Sequence, residues 1–220
     1  MDKNFWIERW KKKEIGFHLN DYHDFLKKYG EFYFKDVSNV FIPLCGKSKD
    51  ILWFYHFGKT VVGIELSDIA CREFFLENHL QYNKSEYKNF QIYHTLDKKI
   101  YFINGDFFEL NKDVLNFINI TIQAVYDRAS LIALPFDLRK QYVKHMFRML
   151  NNKIKYFLIT MEFEPIEKTQ KEIGPPFSVT ENEIKNLFER YCTIKKIEER
   201  SIERKNAINS KEILYFMEKI

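Results

Sequence analysis

Glycine is scarce in this chain, seven in 220 residues, and the scarcity matters most where a nucleotide-binding turn would need it. The stretch F-I-P-L-C-G-K-S, residues 41–48, ends like a phosphate-binding loop, yet the first glycine of G-x-x-x-x-G-K-[ST] would fall on Phe41. A bulky Phe inside a strand cannot copy the turn that glycine permits, and Pro43 removes an N–H that a phosphate cradle would use. The dinucleotide fingerprint G-x-G-x-x-G needs three glycines, and this turn has one. Cysteine is just as sparse. Cys45, Cys71 and Cys192 are odd in number and far apart, which argues against a disulfide framework or a zinc knuckle and for a reducing compartment. The six histidines form no H-x-x-x-H or H-x-H pair, so no metal is expected. No window of about 18 apolar residues exists, so no membrane span is expected. The opening M-D-K-N-F-W-I-E-R-W lacks the apolar core of a signal peptide, and a cytoplasmic location is expected. Lys11-Lys12-Lys13 is the one dense basic cluster in a chain of net charge +4, and it reads as a solvated helix face. A nucleic-acid partner would need a broader basic stripe, and none is expected. With no internal repeat or low-complexity tract, the chain reads as a single domain over 1–220, expected to be monomeric.

What is abundant is aromatic and apolar: 22 Phe and 13 Tyr supply core volume and the walls of a flat ligand slot. Strands alternate with helices, the pattern of an α/β fold with a doubly wound, mostly parallel sheet. V-F-I-P-L (40–44) reads as a short buried strand, with Ser48 placed to cap a helix that closes at Gly58. T-V-V-G-I-E (60–65) is a second strand, and Ser67 caps the helix after it. Ile100–Ile103 is a third, stopped by the turn signal Asn104-Gly105-Asp106. Residues 118–126 read as a fourth strand ending on Asp127-Arg128, and 154–163 as a fifth. A helix follows Pro135, and Thr180-x-x-Glu183 is a capping box for another. The runs 193–197 and 213–216 are expected to pair as an antiparallel edge hairpin. Residues 80–99 read as polar and irregular. Residues 1–36 have amphipathic helix character and read as a lid segment over the catalytic core, 37–220.

In open α/β sheets, ligands sit outside the carboxyl ends of the strands. The predicted strand ends offer Leu44-Cys45-Gly46, Glu65, Asp106-Phe107 and Asp127-Arg128. Glu65 lies 65 − 46 = 19 residues beyond Gly46, near the spacing at which an acid after the second strand accepts hydrogen bonds from ribose hydroxyls. A loop with few bare N–H groups suits a nucleoside without a phosphate chain, and S-adenosylmethionine is such a molecule. Asp106-Phe107 then suits the adenine, or is a simple turn beside a core Phe. Arg128 is placed to hold an anionic group of cofactor or substrate. Gly174-Pro175-Pro176-Phe177 is a stiff connector or a pocket rim. By composition alone, Trp6, Trp10 and Phe17 read as core.

Six stretches, in order, carry a more specific signal. F-W-I-E-R-W with I-G-F-H, P-L-C-G-K-S-K-D, V-V-G-I-E-L-S, G-D-F-F-E-L, D-R-A-S-L-I-A-L and G-P-P-F-S-V resemble the thiopurine S-methyltransferase family in order and spacing, from about Phe5 to Phe188. The resemblance implies that P-L-C-G-K replaces the usual glycine-rich methyltransferase loop. It implies cofactor contacts at Trp6, Trp10, Leu44, Glu65, Asp106, Phe107 and Arg128, and a substrate contact at Phe17, reversing the composition-only reading of the three N-terminal aromatics. It also implies a second catalytic arginine near the C-terminus, beside Arg128. Arg204 is the nearest candidate for it, and Arg200 is equally possible. The expected reaction is S-adenosylmethionine-dependent methylation of a small aromatic or heterocyclic thiol, thiopurine-like, or of related selenium or tellurium species. The rivals are a nucleotide hydrolase, a nicotinamide dehydrogenase and a cofactor-binding protein that transfers nothing.

Overall fold

The computed structural model describes residues 3–150, 153–166 and 174–220, which divide into two compact units between Ala124 and Val125, at the start of the sixth strand. The first contains α1 (Lys3–Lys11), α2 (Asp24–Phe34), β1 (Asn39–Ile42), α3 (Asp50–His56), β2 (Thr60–Glu65), α4 (Asp68–Glu77), β3 (Tyr82–Tyr87), β4 (Phe90–Thr95), β5 (Ile100–Asn104), a 3-10 turn at Phe107–Glu109, and α5 (Lys112–Phe117). Its strands lie in the order β3-β4-β5-β2-β1. β1 with β2 and β2 with β5 run parallel, and β4 runs antiparallel to both β3 and β5. The parallel strands are near-continuous apolar runs because both of their faces are covered; Val61, Val62, Ile64, Ile100 and Phe102 are all fully buried. α2 belongs to the core, with Phe34 edge-on to Phe54 of α3 at 4.8 Å and Gly30 against Trp53.

Residues 80–99, expected to be irregular, form the β3–β4 hairpin instead, registered from Tyr82↔Thr95 to Tyr87↔Phe90. None of the β3 residues is buried, so burial left no alternation of apolar residues in Y-N-K-S-E-Y, and its turn uses Lys88 at φ 53° rather than a glycine. The strand expected to start at 118 starts at 124. Residues 118–120 finish α5 instead: Ile118 and Ile120 N–H groups donate to Val114 and Leu115 carbonyls, and Asn119 takes the left-handed conformation (φ 57°) that ends a helix.

The second unit contains β6 (Ala124–Arg128), a 3-10 turn at Leu131–Ala133, α6 (Phe136–Met149), β7 (Lys155–Pro165), α7 (Glu181–Phe188), β8 (Cys192–Ser201) and β9 (Ala207–Lys219), with strand order β6-β7-β9-β8. The expected edge hairpin is present and longer than its apolar runs suggested, and β9 also runs antiparallel to β7. Thr180 caps α7 by accepting from the Glu183 N–H at 3.2 Å. No described helix is long and apolar enough to cross a membrane.

Candidate active site

The carboxyl ends of β1, β2 and β5 bring three loops to one edge of the first unit. After β1, the chain turns through Leu44 (φ 43°) and Gly46 (φ 54°), both left-handed. Gly46 is required twice, because a Cβ there would also stand 3.2 Å from the Trp10 ring. Its N–H donates to Glu65 Oε2 at 2.9 Å, and the Ser67 N–H donates to Oε1 at 2.7 Å. Glu65 is 6% exposed, and burial holds its carboxyl above the ordinary range although those amides pull the other way. The Ser67, Gly46 and Leu66 amides all favour its charged, hydrogen-bond-accepting form. Gly63, inside β2, leaves room for the loop: a Cβ there would lie 2.6 Å from Cys45 Sγ.

After β5, Asn104 donates to the Glu65 and Leu66 carbonyls, both at 3.0 Å, and Gly105 N–H donates to the Glu65 carbonyl. Asn104 thereby ties the second and third loops together, a role that N-G-D read as a turn alone does not reveal. Asp106 caps the 3-10 turn by accepting from Phe108 N–H, and its other oxygen faces the Lys3 ammonium at 2.6 Å. Phe107 is buried, packed edge-on against Phe108.

The N-terminal aromatics sit beside this edge. Phe17 packs edge-on against Trp6 at 5.7 Å and Trp10 at 5.8 Å, and the Trp10 ring lies over Gly46. So Trp6, Trp10, Phe17, Leu44, Glu65, Asp106 and Phe107 belong to one unit, with the first three linked to the turn that carries Leu44. Lys47 is the residue that a phosphate loop would present to its ligand. Here its ammonium is bound by Glu73 at 2.7 Å and Glu77 at 2.6 Å on α4. A carboxylate at a strand end, aromatic walls and a lysine already neutralised by two acids fit an adenosine without phosphates.

The arginines that the sequence singles out lie in the second unit. β6 ends on Asp127-Arg128. Asp127 is fully buried and accepts from Tyr142 and Tyr156 hydroxyls, both at 2.7 Å, while burial pushes its carboxyl up against those donors. Arg128 follows, half-buried. Arg200 is engaged by the buried Glu212, with Nη2 at 2.6 Å and Nε at 2.8 Å. Arg204 has no carboxylate partner among the described residues. Its guanidinium lies 4.3 Å from the Phe163 ring centroid and 3.5 Å from Met161 Sδ, and burial lowers its pKa. Arg139 was missed by sequence reading. Buried in α6, it makes a two-bond contact with Glu183 at 2.8 and 2.9 Å and donates to the Leu134 and Ser178 carbonyls, with its guanidinium over Phe177 at 5.9 Å. It anchors the Gly174-Pro175-Pro176-Phe177 loop. A lone arginine one helical turn from Tyr142 and Val143, on the face that goes inward, was the available signal.

All three cysteines are buried and free. Burial raises each thiol, well above the ordinary value for Cys45 and Cys71 and to about 12 for Cys192.

Solved structures share this architecture. The 1,6-didemethyltoxoflavin-N1-methyltransferase of Burkholderia thailandensis, bound to 1,6-didemethyltoxoflavin and S-adenosylhomocysteine, superposes with a TM-score of 0.62 at 12% identity, over 99% of this chain and 86% of that one. An S-adenosylmethionine-dependent methyltransferase from Anabaena variabilis gives 0.63 at 12% identity, over 99% and 95%. The fold is that of the class I S-adenosylmethionine-dependent methyltransferases. Within that class, the chain belongs to the thiopurine S-methyltransferase family, whose model matches residues 1–220. It is 35% identical to the thiopurine S-methyltransferase of Marinobacter nauticus, over 94% of this chain and 90% of that protein. To that of Teredinibacter turnerae it is 37% identical, over 86% and 83%. The cofactor of the family and fold is S-adenosylmethionine.

Proposed function

We propose that this protein methylates the sulfur of small aromatic or heterocyclic thiols, thiopurine-like, or related selenium or tellurium species, by direct in-line displacement. Leu44, Glu65, Asp106 and Phe107 hold the cofactor, with Trp6 and Trp10 of α1 as its cover and Phe17 against the acceptor. The observation that carries the reading is Glu65: a buried carboxylate at the end of β2, fixed by two backbone N–H groups, beside a loop whose lysine faces away. When bound, S-adenosylmethionine supplies a methyl group already activated by its sulfonium. The chain has to align the acceptor, keep water out and favour its ionised form. Arg128 and Arg204 take that last role, since a nearby guanidinium lowers the pKa of a thiol and steadies the thiolate. Arg204 is favoured over Arg200 because Arg200 is already engaged by Glu212. The acceptor's proton leaves to solvent, its sulfur lone pair forms the new C–S bond as the sulfonium C–S bond breaks, and no covalent enzyme intermediate forms. We further propose a monomer working in the cytoplasm on a small molecule.

The test is a thermal-shift titration with S-adenosylhomocysteine, magnesium-ATP and NAD in parallel, with Glu65→Ala beside the wild type. A ligand of the folded state raises the melting temperature with its concentration. Stabilisation by S-adenosylhomocysteine alone, weakened in Glu65→Ala, is expected. Stabilisation by ATP or NAD instead would return the phosphate-loop or dehydrogenase reading. Radiolabelled methyl transfer to a thiopurine, a simple aromatic thiol and selenite then ranks acceptors, and no transfer to any of them would favour the non-catalytic reading.

A further inference from the structure

We infer that Lys47 is a positioning residue for the cofactor loop: the ion triad Lys47–Glu73–Glu77 clamps the Leu44–Gly46 turn onto α4, so that the turn is preset before the cofactor arrives. The inference rests on the reading of that turn as part of the cofactor site.

Lys47 is 7% exposed, buried far more deeply than a lysine ordinarily is. Glu73 and Glu77 stand one helical turn apart on α4, where two carboxylates repel each other unless a cation lies between them. The Lys47 ammonium lies between them at 2.7 and 2.6 Å. Burial works against its charge, but the two acids outweigh it and its pKa sits above the ordinary value. The residue next to it, Gly46, is fixed through its N–H on Glu65, and Cys45 N–H donates to the Ile64 carbonyl at 3.0 Å. The turn is therefore pinned on one side to the end of β2 and on the other to α4. Two of its residues, Leu44 and Gly46, hold left-handed backbone. For a non-glycine residue such as Leu44 that conformation persists only where its surroundings enforce it. Without the α4 anchor the turn has to be ordered by the ligand, and that ordering is subtracted from binding.

The experiment compares the wild type, Lys47→Met, the triple variant Lys47→Met/Glu73→Gln/Glu77→Gln, and Glu65→Ala. For each it measures the Kd of S-adenosylhomocysteine by calorimetry and the melting temperature. Lys47→Met is expected to raise the Kd about tenfold or more and to lower the melting temperature. The triple variant removes the repulsion between the two glutamates and is expected to recover the melting temperature but not the affinity. That separation is what charge balance alone cannot produce, and the triple variant also serves if Lys47→Met does not fold. A Kd within about twofold of wild type in Lys47→Met, or recovered in the triple variant, overturns the inference while a weakened Glu65→Ala leaves the site reading standing. An unchanged Kd in Glu65→Ala overturns the site reading and the inference with it.

Discussion

At the scale of single residues, the two C-terminal arginines differ in their surroundings: Arg200 is paired with Glu212, and Arg204 lies against Phe163 and Met161. Arg204→Met is expected to lower kcat/KM for a high-pKa thiol by about 100-fold, the lower end of the range for losing one preorganised group facing a developing anion. The loss should shrink for an acceptor that is already ionised at the assay pH. Equal losses for both acceptors would remove thiolate stabilisation from its role. Arg200→Met instead strips the guanidinium from the buried Glu212. Leaving a buried carboxylate without that cation costs about 1–3 kcal/mol, and with Arg200 36% exposed the lower end applies. Urea unfolding should register this, with kcat unchanged. Glu65 has a pH signature of its own. A carboxyl whose folded pKa lies above its ordinary 4.5 lends stability that is present at low pH and lost as the pH rises through the folded value. Urea midpoints of wild type and Glu65→Gln should therefore diverge in favour of the wild type as the pH falls from neutrality toward about 4. A constant difference would mean that burial does not govern that carboxyl. Glu65 was legible from sequence because it ends an otherwise uncharged strand. Lys47, Asn104 and Arg139 were not, since the partners that define them lie 26 to 44 residues away and leave no local pattern.

At the scale of elements, the start of α1 is joined to the loop after β5 by an open ion pair. Trp10 is buried against the Gly46 turn, but the helix start is joined to the rest through Lys3, whose side chain is 56% exposed, and Asp106. An ion pair this open is worth about 0.2–1 kcal/mol, so Lys3→Ala should speed S-adenosylhomocysteine release by no more than about fivefold. The wild-type rate should rise toward the variant's as salt is added, which stopped-flow measurements at two ionic strengths would show. A release rate indifferent to both changes would mean that Asp106 does not couple α1 to the bound ligand. Elements with paired signals were readable: Ser67 and Thr180 cap where their spacing predicts, and β2 spans the same residues that its apolar run marks. The β3–β4 hairpin was not readable, because an edge strand with its polar side chains outward carries no periodicity that burial would impose. The start of β6 was misplaced for a different reason. Ile118 and Ile120 look β-like, but a short helix claimed their N–H groups first.

At the scale of the whole molecule, the α/β class and the family were legible because motif order survives where any one motif is weak. The division of the described chain at Ala124 was not, since nothing in the composition changes there. The three cysteines, scattered along the sequence, share one property that only the folded chain confers: none of them keeps a reactive thiolate near neutral pH. In the native protein, iodoacetamide should therefore label none of the three on a timescale of minutes, and urea should expose all of them, as peptide mass spectrometry would report. Rapid labelling of Cys45 in the folded state would show that the turn opens readily. A catalyst that brings a strong methyl donor to sulfur faces a hazard from its own sulfur, and Cys45 is the neighbour of Leu44. Burying every thiol in its protonated form makes the protein a poor substrate for its own chemistry, so the methyl group is spent on the acceptor that enters rather than on the machinery that receives it.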